Sequence, residues 1–450
     1  MSDAIEKAAP SLQQDEKLES SITSPSPSPS PLYSHTFFSK EAAQARKALV
    51  PGLVVPVLYN ALLLCACLAL FLGSLIKAND ISHIRITVVN LDDGVFGDGL
   101  VNGIKSSLEA PGPHLRWTFV SAVDVPNDYD AWSRDVVLDE KAWAVLQISR
   151  NASANLQKAL EEGDGRYDPS TAATLYFTSA RNQVTTLSLT VPAIVDLANN
   201  IVAQIALNMS ATYLESAAPM TNIPCPRCLV EPFAIRQTDL IPFSSTIALG
   251  PLSTGLIFLL TFTFQFFTIL RAGASTHGHL FTLPSTLTLR TCSSLSTYLF
   301  LSLCYTLVLL AFSLPLTGHF SSRPSHGFMA LWMLNFLTMA ACGFVLEAAS
   351  TLAGMQFAPF FLNGWLIANA SPAFGAHETM PRFYRYGYAM PFWHAAQATR
   401  TLVFGTKSHI GLNFGVLLSW CVVGWVGVVG ATAWRLQIIQ EIIVQCLKRR

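Results

Sequence analysis

Residues 48–76 read ALVPGLVVPVLYNALLLCACLALFLGSLI, a run of 29 residues without a charged side chain. A helix of about 20 apolar residues crosses the hydrocarbon core of a bilayer, so this run predicts a first transmembrane span over 49–76. Lys40, Arg46 and Lys47 precede the run. Because basic residues collect on the cytosolic side, we expect a cytosolic N-terminus and a following region outside the cytosol.

The composition of the whole chain is that of a multi-span membrane protein. Of its 450 residues, 51% are hydrophobic and 12% are charged, against roughly 25% charged residues in an average soluble domain. Residues 78–245 hold 19 acidic and 11 basic residues, a net charge of −8, and the remainder carries +8. An acidic middle between basic flanks predicts that the two parts lie on opposite sides of a membrane.

The N-terminal segment is polar and contains SPSPSPSP over 24–31. Alternating Ser-Pro cannot form a helix and buries little apolar surface, so we predict a disordered cytosolic tail over 1–48. It serves as a solvated spacer or, alternatively, as a target for phosphorylation. We expect no signal peptide, because the first apolar run starts only around residue 49.

Residues 77–243 predict a mixed α/β extracytoplasmic domain between the first two spans. ISHIRITVVNLDDG, at 81–94, alternates apolar and polar residues before a turn, and RWTFVSAV, AWAVLQIS and AATLYFTS are also typical of strands. NASANLQKALEEGDG predicts a helix stopped by Gly163. A long, mostly apolar helical pattern over 182–216 then returns towards the membrane.

Two kinds of site are predicted in this domain. Asn151-Ala-Ser and Asn208-Met-Ser are acceptors for N-glycosylation, which supports a location outside the cytosol. Cys225 and Cys228 form CPRC, which fits a thioredoxin-like redox motif, half a zinc site or a short-loop disulfide. No second cysteine pair is available for zinc and we predict no βαβ unit upstream, so a local disulfide is favoured.

A membrane domain over 244–437 contributes five further predicted spans, near 244–270, 289–314, 327–348, 352–370 and 412–436. The chain is therefore predicted to be an α-helical polytopic membrane protein with six spans and a cytosolic C-terminus. The basic tail over 438–450 agrees with that side of the membrane. The outer loop over 371–411 also carries basic residues, which weakens the charge rule at that loop.

The chain contains no motif that indicates catalysis. It lacks a Gly-x4-Gly-Lys-Ser/Thr loop for nucleotide phosphates, a His-Glu-x2-His pair, a Gly-x-Ser-x-Gly turn and ligands at metal spacing. We therefore expect a protein that is not an enzyme and that has no cofactor, no metal and no nucleic-acid partner.

Two features within the predicted spans are candidates for a transport path. Glu347 is the one acidic residue that we place within a span, and a charge at membrane depth costs about 2.5–3.5 kcal/mol. Alternatively, Glu347 lies at a span end beside a cytosolic turn. Pro359, Asn363 and Gly364 interrupt the fifth span, where a broken helix lines a polar path or forms a packed kink.

The outer loop contains ETMPRFYRYGYAMPFWHA at 378–395. It is too polar and too rich in proline to span a bilayer, yet too aromatic to lie fully in water. We predict a re-entrant element at the outer leaflet, or alternatively a surface belt that anchors the sixth span. The predicted anchors are Phe383, Tyr384, Tyr386, Tyr388 and Trp393, with Arg382 and Arg385 reaching lipid phosphates or loop carboxylates.

Small residues in the sixth span, in GLNFG at 411–415 and GWVGVVG at 424–430, suit close helix packing. The partner helix belongs either to the same chain or to a second copy in a homodimer.

The motif ITVVNLDDG after the first span, the large domain that follows and NASPAFGAHETMPRFYRYGYAMPFW before the last span together carry a resemblance. Over roughly residues 45–440 the chain resembles the fungal nitrosoguanidine-resistance proteins, which are related to phage-infection-type proteins and ABC-2-type permeases. The resemblance implies an ABC-2-permease-like membrane domain of six spans, re-entrant helices before the last span, and a role in drug or stress resistance at the cell surface. It implies no catalytic residues.

Two functions follow from these expectations. The first is a transporter-like protein that exports or redistributes small hydrophobic or amphipathic compounds, with a separate ATPase subunit or another energy source. The alternative is a non-transporting membrane protein that senses stress or organises lipids or proteins through its extracytoplasmic domain. In both cases membrane lipids surround the protein, and we favour the plasma membrane over an endomembrane.

Overall fold

The computed structural model describes residues 36, 38–40, 42–76, 80–216, 225–277, 281–316, 318, 320 and 322–448. The predicted tail over 1–48 lies outside these residues up to residue 35. Its last residues are helical, because helix α1 begins at Ala43 and runs over Ala43–Leu75. The chain divides at Leu62 into two compact units. Within the first unit, the Asn60 side-chain amide donates to the Pro56 carbonyl over 3.0 Å. The sheet and the helices that follow it belong to the second unit.

The region after α1 contains a five-stranded sheet in the order β2-β1-β3-β4-β5. The strands β1 to β3 are parallel, β4 runs antiparallel to β3, and β5 runs parallel to β4. The four strand-like runs seen in the sequence all form strands, whereas β5 was not expected. Their bounds are β1 Arg85–Asn90, β2 Arg116–Ser121, β3 Ala144–Ile148, β4 Ala173–Phe177 and β5 Ile235–Asp239.

Helices cover both faces of this sheet. Apolar residues of α2, α4 and α5 pack with Ile86 and Val88 of β1 in one core, while α3 packs on Val89 in the other. The helix predicted before Gly163 is α4, and Gly163 ends it with a left-handed φ of 67°. The helices are α2 Val95–Ser107, α3 Tyr129–Leu138, α4 Ala152–Glu162, α5 Val191–Ser216 and α6 Pro226–Val230.

Two βαβ units precede CPRC, contrary to the sequence-based expectation. Strands β1 and β2 are parallel and joined through α2, and β1 and β3 are parallel with α3 in the connection. Strand direction depends on pairing between segments far apart in the chain, so the alternating patterns did not show it. Even so, Cys225 caps the five-residue helix α6, Cys228 lies within it, and a disulfide of 2.06 Å joins the two.

The rest of the chain is a bundle of apolar helices. A turn of π-helix at Gly250–Thr254 leads from the sheet into its first member. The helices are α7 Gly255–His277, α8 Leu283–Ala311, α9 Pro324–Ala353, α10 Ala358–Ala370, α11 Pro391–Phe404 and α12 Ile410–Lys448. A 3₁₀ segment, Arg382–Ala389, precedes α11.

Within the described residues, six helices are long and apolar enough to cross a membrane, so the chain is an integral membrane protein. Five of them coincide with predicted spans. The sixth is Thr185–Glu215 and not the predicted span at 352–370. The six are Val54–Leu75, Thr185–Glu215, Thr246–Arg271, Leu283–Ala311, Pro324–Ala353 and Ile410–Ile438.

The two exceptions have clear physical causes. One face of Thr185–Glu215, with Ile194, Ala198 and Ile201, is buried against the sheet, so a protein core accounts for much of the hydropathy of this helix. The predicted helix over 352–370 is wrong at its start, because Gly354 at φ 102° ends α9. The 13 residues of α10 extend only about 20 Å, less than the roughly 30 Å of a hydrocarbon core.

Helices α9 and α12 run parallel and in close contact, since Cys421 bonds to the Leu337 carbonyl and a Cβ on Gly427 would lie 3.1 Å from the Ala348 Cβ. The chain between them must return from the end of α9 to the start of α12, and α10 makes the first part of that return. Packing within the chain accounts for the small residues Gly424 and Gly427. The predicted tail over 438–450 is not separate, because α12 continues to Lys448.

Candidate functional site

One edge of the sheet collects charged residues as a consequence of strand direction. Strands β1 and β2 are parallel, so their first residues, Arg85 and Arg116, lie side by side in register. Glu140 and Lys141 precede the neighbouring strand β3. Because β4 is antiparallel to β3, its last residues reach the same edge, and Arg181 follows them.

This edge contacts the loop between α10 and α11. The Asn182 amide donates to the Phe374 carbonyl over 3.4 Å, and Arg181 Nη2 lies 3.7 Å from Glu378 Oε1. The loop is the segment that the sequence predicted to be re-entrant. The sheet therefore contacts the predicted re-entrant element directly.

Arg181 is a fixed part of this contact. Its guanidinium lies 3.9 Å from the centroid of the Trp143 ring, and Nη1 donates to the Ala142 carbonyl over 3.1 Å. Burial lowers the pKa of Arg181, and the carboxylates of Glu140 and Glu378 oppose that effect. Because arginine keeps its proton under such shifts, Arg181 is a charged wall residue.

Two of the predicted aromatic anchors bond to helices of the bundle. Tyr384 is buried and its hydroxyl donates to the Leu70 carbonyl of α1 over 2.5 Å. The Tyr386 hydroxyl donates to the Ala368 carbonyl of α10 over 3.0 Å. These contacts fix the 3₁₀ segment against helix ends, and insertion into a leaflet stays a prediction.

The other predicted anchors form a second aromatic group. Tyr388 stacks on His377 with ring centroids 4.2 Å apart and meets the Trp393 ring at 5.0 Å. Phe383 is 67% exposed. The loop therefore presents a largely exposed phenylalanine, whose ring meets the rings of Tyr384 and Tyr386, and a separate packed group of Tyr388, Trp393 and His377.

Two adjoining cavities lie where the sheet edge, the loop and the helices meet. The first, of about 580 Å³, is bounded by the sheet edge and the 3₁₀ segment. The second, of about 370 Å³, extends between α11 and α12 to Leu412 and Val416. The residues that line both cavities are Glu140, Trp143, Arg181, His377, Glu378 and Tyr388.

The first cavity is cationic. Among the described residues, the side chains of Arg85, Arg116, Arg382 and Arg385 make no hydrogen bond or ion pair. Glu140, one of two carboxylates in the lining, has a left-handed φ of 56°, a conformation that residues other than glycine seldom adopt. The six basic residues of the lining are Arg85, Arg116, Lys141, Arg181, Arg382 and Arg385.

His377 is neutral at physiological pH. Burial lowers its pKa to about 4, although the Glu378 carboxylate opposes this shift. Its Nε2 atom is buried without a hydrogen-bond partner among the described residues. The first cavity is therefore cationic without a contribution from His377.

The candidate Glu347 lies elsewhere, in a buried ion pair that the sequence did not predict. Arg290 of α8 reaches Glu347 Oε1 through Nη2 at 2.6 Å and Nε at 2.7 Å. Arg290 also donates to the hydroxyls of Thr432 on α12 and Thr351 on α9, at 2.7 and 2.9 Å. The pair thus joins three helices, and Glu347 is buried in the last two turns of α9.

Further polar atoms lie near this pair without hydrogen-bond partners among the described residues. They include Glu347 Oε2 and the hydroxyls of Ser294, Tyr298 and Ser350. A Cβ on Gly343, one turn before Glu347, would lie 2.7 Å from the Tyr298 hydroxyl oxygen. This part of the bundle therefore has buried polar capacity that the chain itself does not use.

The structure separates the remaining predicted sites. Asn363 is exposed on α10 and joins neither the ion pair nor the cavities. Asn151 and Asn208 are exposed on the sheet domain, as glycan attachment requires, and their modification stays a prediction. The location of the sheet domain outside the cytosol also stays a prediction.

The opposite edge of the sheet, where α/β proteins often bind ligands, is closed. Asp92, in the predicted NLDDG turn, is buried and accepts bonds from the Gly97 amide in α2 and the Ser153 amide in α4, at 3.0 and 3.1 Å. The Ser153 hydroxyl also donates to Asp92 over 2.6 Å. The chain's own carboxylate thus occupies the place where helix N-termini would hold a phosphate.

Sequence reasoning selected Arg382 and Arg385 but missed Arg85, Arg116, Arg181 and Arg290. The signal for the first three was their position at strand ends, which becomes informative only once strand directions are known. Arg400 was also missed. It is 4% exposed on α11, and its Nε has no hydrogen-bond partner among the described residues.

Comparison with known proteins agrees with a membrane protein. A Saccharomyces cerevisiae protein, described as an uncharacterized endoplasmic reticulum membrane protein, is 25% identical over 317 residues. The match covers 67% of this chain and 61% of the yeast protein. No solved structure matches. The sequence profile of a family described as protein of unknown function (DUF3533) matches residues 57–426, and the chain therefore belongs to the DUF3533 family.

Proposed function

We propose that this protein binds amphipathic molecules at the junction of its sheet and its membrane helices and exports or redistributes them. One observation carries the proposal: a charged cavity of about 580 Å³ adjoins a cavity that reaches Leu412 and Val416 on α12. An amphipathic molecule needs polar partners for its head and apolar surface for its tail. The wall that the two cavities share supplies the polar partners, and the apolar surface lies directly beside it.

The energy source belongs to the proposal as well. The sequence has no loop for nucleotide phosphates, so movement against a gradient requires a separate ATPase subunit or another source. An ABC-2-like ancestry, a role in drug or stress resistance and a homodimeric assembly are parts of the same proposal. The name of the yeast relative supports an endoplasmic reticulum membrane as the alternative to the plasma membrane.

Flux in liposomes tests the proposal. The purified full-length protein is reconstituted, and movement of a fluorescent amphipathic probe between leaflets is measured with and without candidate ATPases. Val416→Trp fills the second cavity and is expected to slow movement. Leu418→Trp places the same side chain on an exposed position of the same helix and is the matched control. Equal rates for both variants and the wild type would reject the second cavity as the path, and no movement above protein-free liposomes would reject transport.

One observation favours the non-transporting alternative. The sheet domain has its own cavity of about 680 Å³, lined mainly by apolar residues such as Leu156, Ile205 and Leu229. A domain that holds an apolar ligand suits a sensor or a lipid-organising protein. Binding of apolar ligands without any movement across liposomes would support this function over transport.

A further inference from the structure

The four unpartnered arginines of the first cavity come from two parts of the chain. Arg85 and Arg116 begin neighbouring strands, whereas Arg382 and Arg385 belong to the 3₁₀ segment. All four line the same cavity. The fold therefore directs positive charge from the sheet and from the loop towards one space.

This arrangement is unfavourable for the protein alone. Arg85 and Arg116 are register partners on adjacent strands, which lie about 5 Å apart. Like charges in such positions repel each other. An anion with several oxygens removes the repulsion, because guanidinium groups bind phosphate through paired hydrogen bonds.

The cavity lies beside the end of an apolar helix. Tyr384, next in sequence to the exposed Phe383, bonds to the Leu70 carbonyl near the end of α1. Among the residues that follow Leu70, Leu72, Leu75 and Ile76 are exposed and apolar. Aromatic and arginine residues at the end of an apolar span are typical of the level of lipid headgroups.

We propose that this cavity binds the phosphate-bearing headgroup of an anionic lipid. The inference rests on the proposed function and specifies its ligand class. Arg382 and Arg385 contact the phosphate from the loop side and Arg85 and Arg116 from the sheet side. Arg181, held on Trp143 and near Glu378, closes the wall towards the second cavity, into which the tail extends.

Binding is measured on the full-length protein in phosphatidylcholine nanodiscs, with and without phosphatidic acid. The readout is the amount of phosphatidic acid retained by the protein in native mass spectrometry. Enrichment of phosphatidic acid over phosphatidylcholine is expected, and the enrichment should fall as salt rises because the arginines are exposed to solvent. Inorganic phosphate is added in a separate arm, and it should not displace the lipid.

Two double variants and one matched control locate the site. Arg85→Gln/Arg116→Gln and Arg382→Gln/Arg385→Gln each remove two positive charges, and each should weaken retention about tenfold, the scale of one charge-assisted contact. The control, Arg166→Gln/Arg227→Gln, removes the same charge from exposed positions on the sheet domain outside the cavity. It should retain phosphatidic acid as the wild type does.

Each result decides the inference. Equal retention of the two lipids, unchanged retention in both double variants, or an equal loss in the control would overturn it. Displacement by inorganic phosphate would assign the cavity to a free anion and reject the lipid. If neutral amphipathic probes move but anionic lipids are not preferred, the proposed function holds and this inference is rejected. If phosphatidic acid is retained but no probe moves, transport is rejected and the lipid site holds.

Discussion

Replacing Glu347 by Gln tests whether the buried ion pair is structural or functional. Arg290 and Glu347 are 5% and 0% exposed, and two nitrogens of Arg290 contact the same oxygen of Glu347. Glutamine keeps the shape but removes the negative charge. Arg290 then keeps hydrogen bonds to the hydroxyls of Thr351 and Thr432 and to the glutamine carbonyl oxygen, but no carboxylate balances its positive charge. An unpaired buried charge of this kind destabilises a protein by about 3–5 kcal/mol.

Removing both charges should cost much less. When a buried pair is replaced by apolar residues of similar volume, the free energy of unfolding changes little or even rises. We therefore expect Arg290→Met/Glu347→Leu to be more stable than Glu347→Gln, although it differs from the wild type at two positions. Glu109→Gln removes a carboxylate at an exposed position of the sheet domain and should change stability by less than about 0.5 kcal/mol.

The assay is unfolding of the purified variants in one detergent, at fixed protein concentration, with flux measured in parallel. If the double variant is no more stable than Glu347→Gln, the cost does not come from an unpaired charge and the reasoning fails. A stable double variant with normal flux would show that the pair serves the fold alone. A stable double variant without flux would assign Arg290 and Glu347 to transport.

Three further outcomes are expected. Endoglycosidase should increase the electrophoretic mobility of the wild type but not of Asn151→Gln/Asn208→Gln. The asparagines are changed because the Ser153 hydroxyl of the first acceptor site also bonds to Asp92. A cytosolic signal from a tag near Gly165 would contradict the predicted orientation. Tyr384→Phe should lose about 1 kcal/mol of stability with its one hydrogen bond, and Tyr384→Ala about 3–5 kcal/mol, whereas Phe383→Ala should match the wild type in unfolding measurements. The pKa of His377 lies near 4 instead of 6.5, so between these pH values the unfolded chain binds a proton that the folded chain does not. The free energy of unfolding should therefore fall as the pH drops from 6.5 towards 4. His377→Gln should remove this part of the pH dependence, and a pH profile identical to that of the wild type would contradict the assignment.

Arg290 and Glu347 show why part of the candidate site could not be predicted from the sequence. Glu347 could be recognised as a candidate because an acidic residue within an apolar run is visible from the neighbouring sequence alone. Its partner is 57 positions away in sequence, on a helix whose rotation about its own axis is not encoded in hydropathy. The same holds for Arg85 and Arg382, which approach each other only because strand pairing and loop placement bring two distant segments to one cavity.

Features that depend on short stretches of chain could be predicted from the sequence. Apolar runs of bilayer length gave five of the six long helices, alternation gave four strands, and Gly163 gave a helix end. Transfer of a segment out of water depends on its own composition, so these features are visible without a partner. That Thr185–Glu215 packs on a sheet, and that the short α10 begins the return after α9, depends on contacts between distant segments. A protein core and a lipid chain are equally apolar, so composition alone cannot distinguish them, and only the contacts with other segments can.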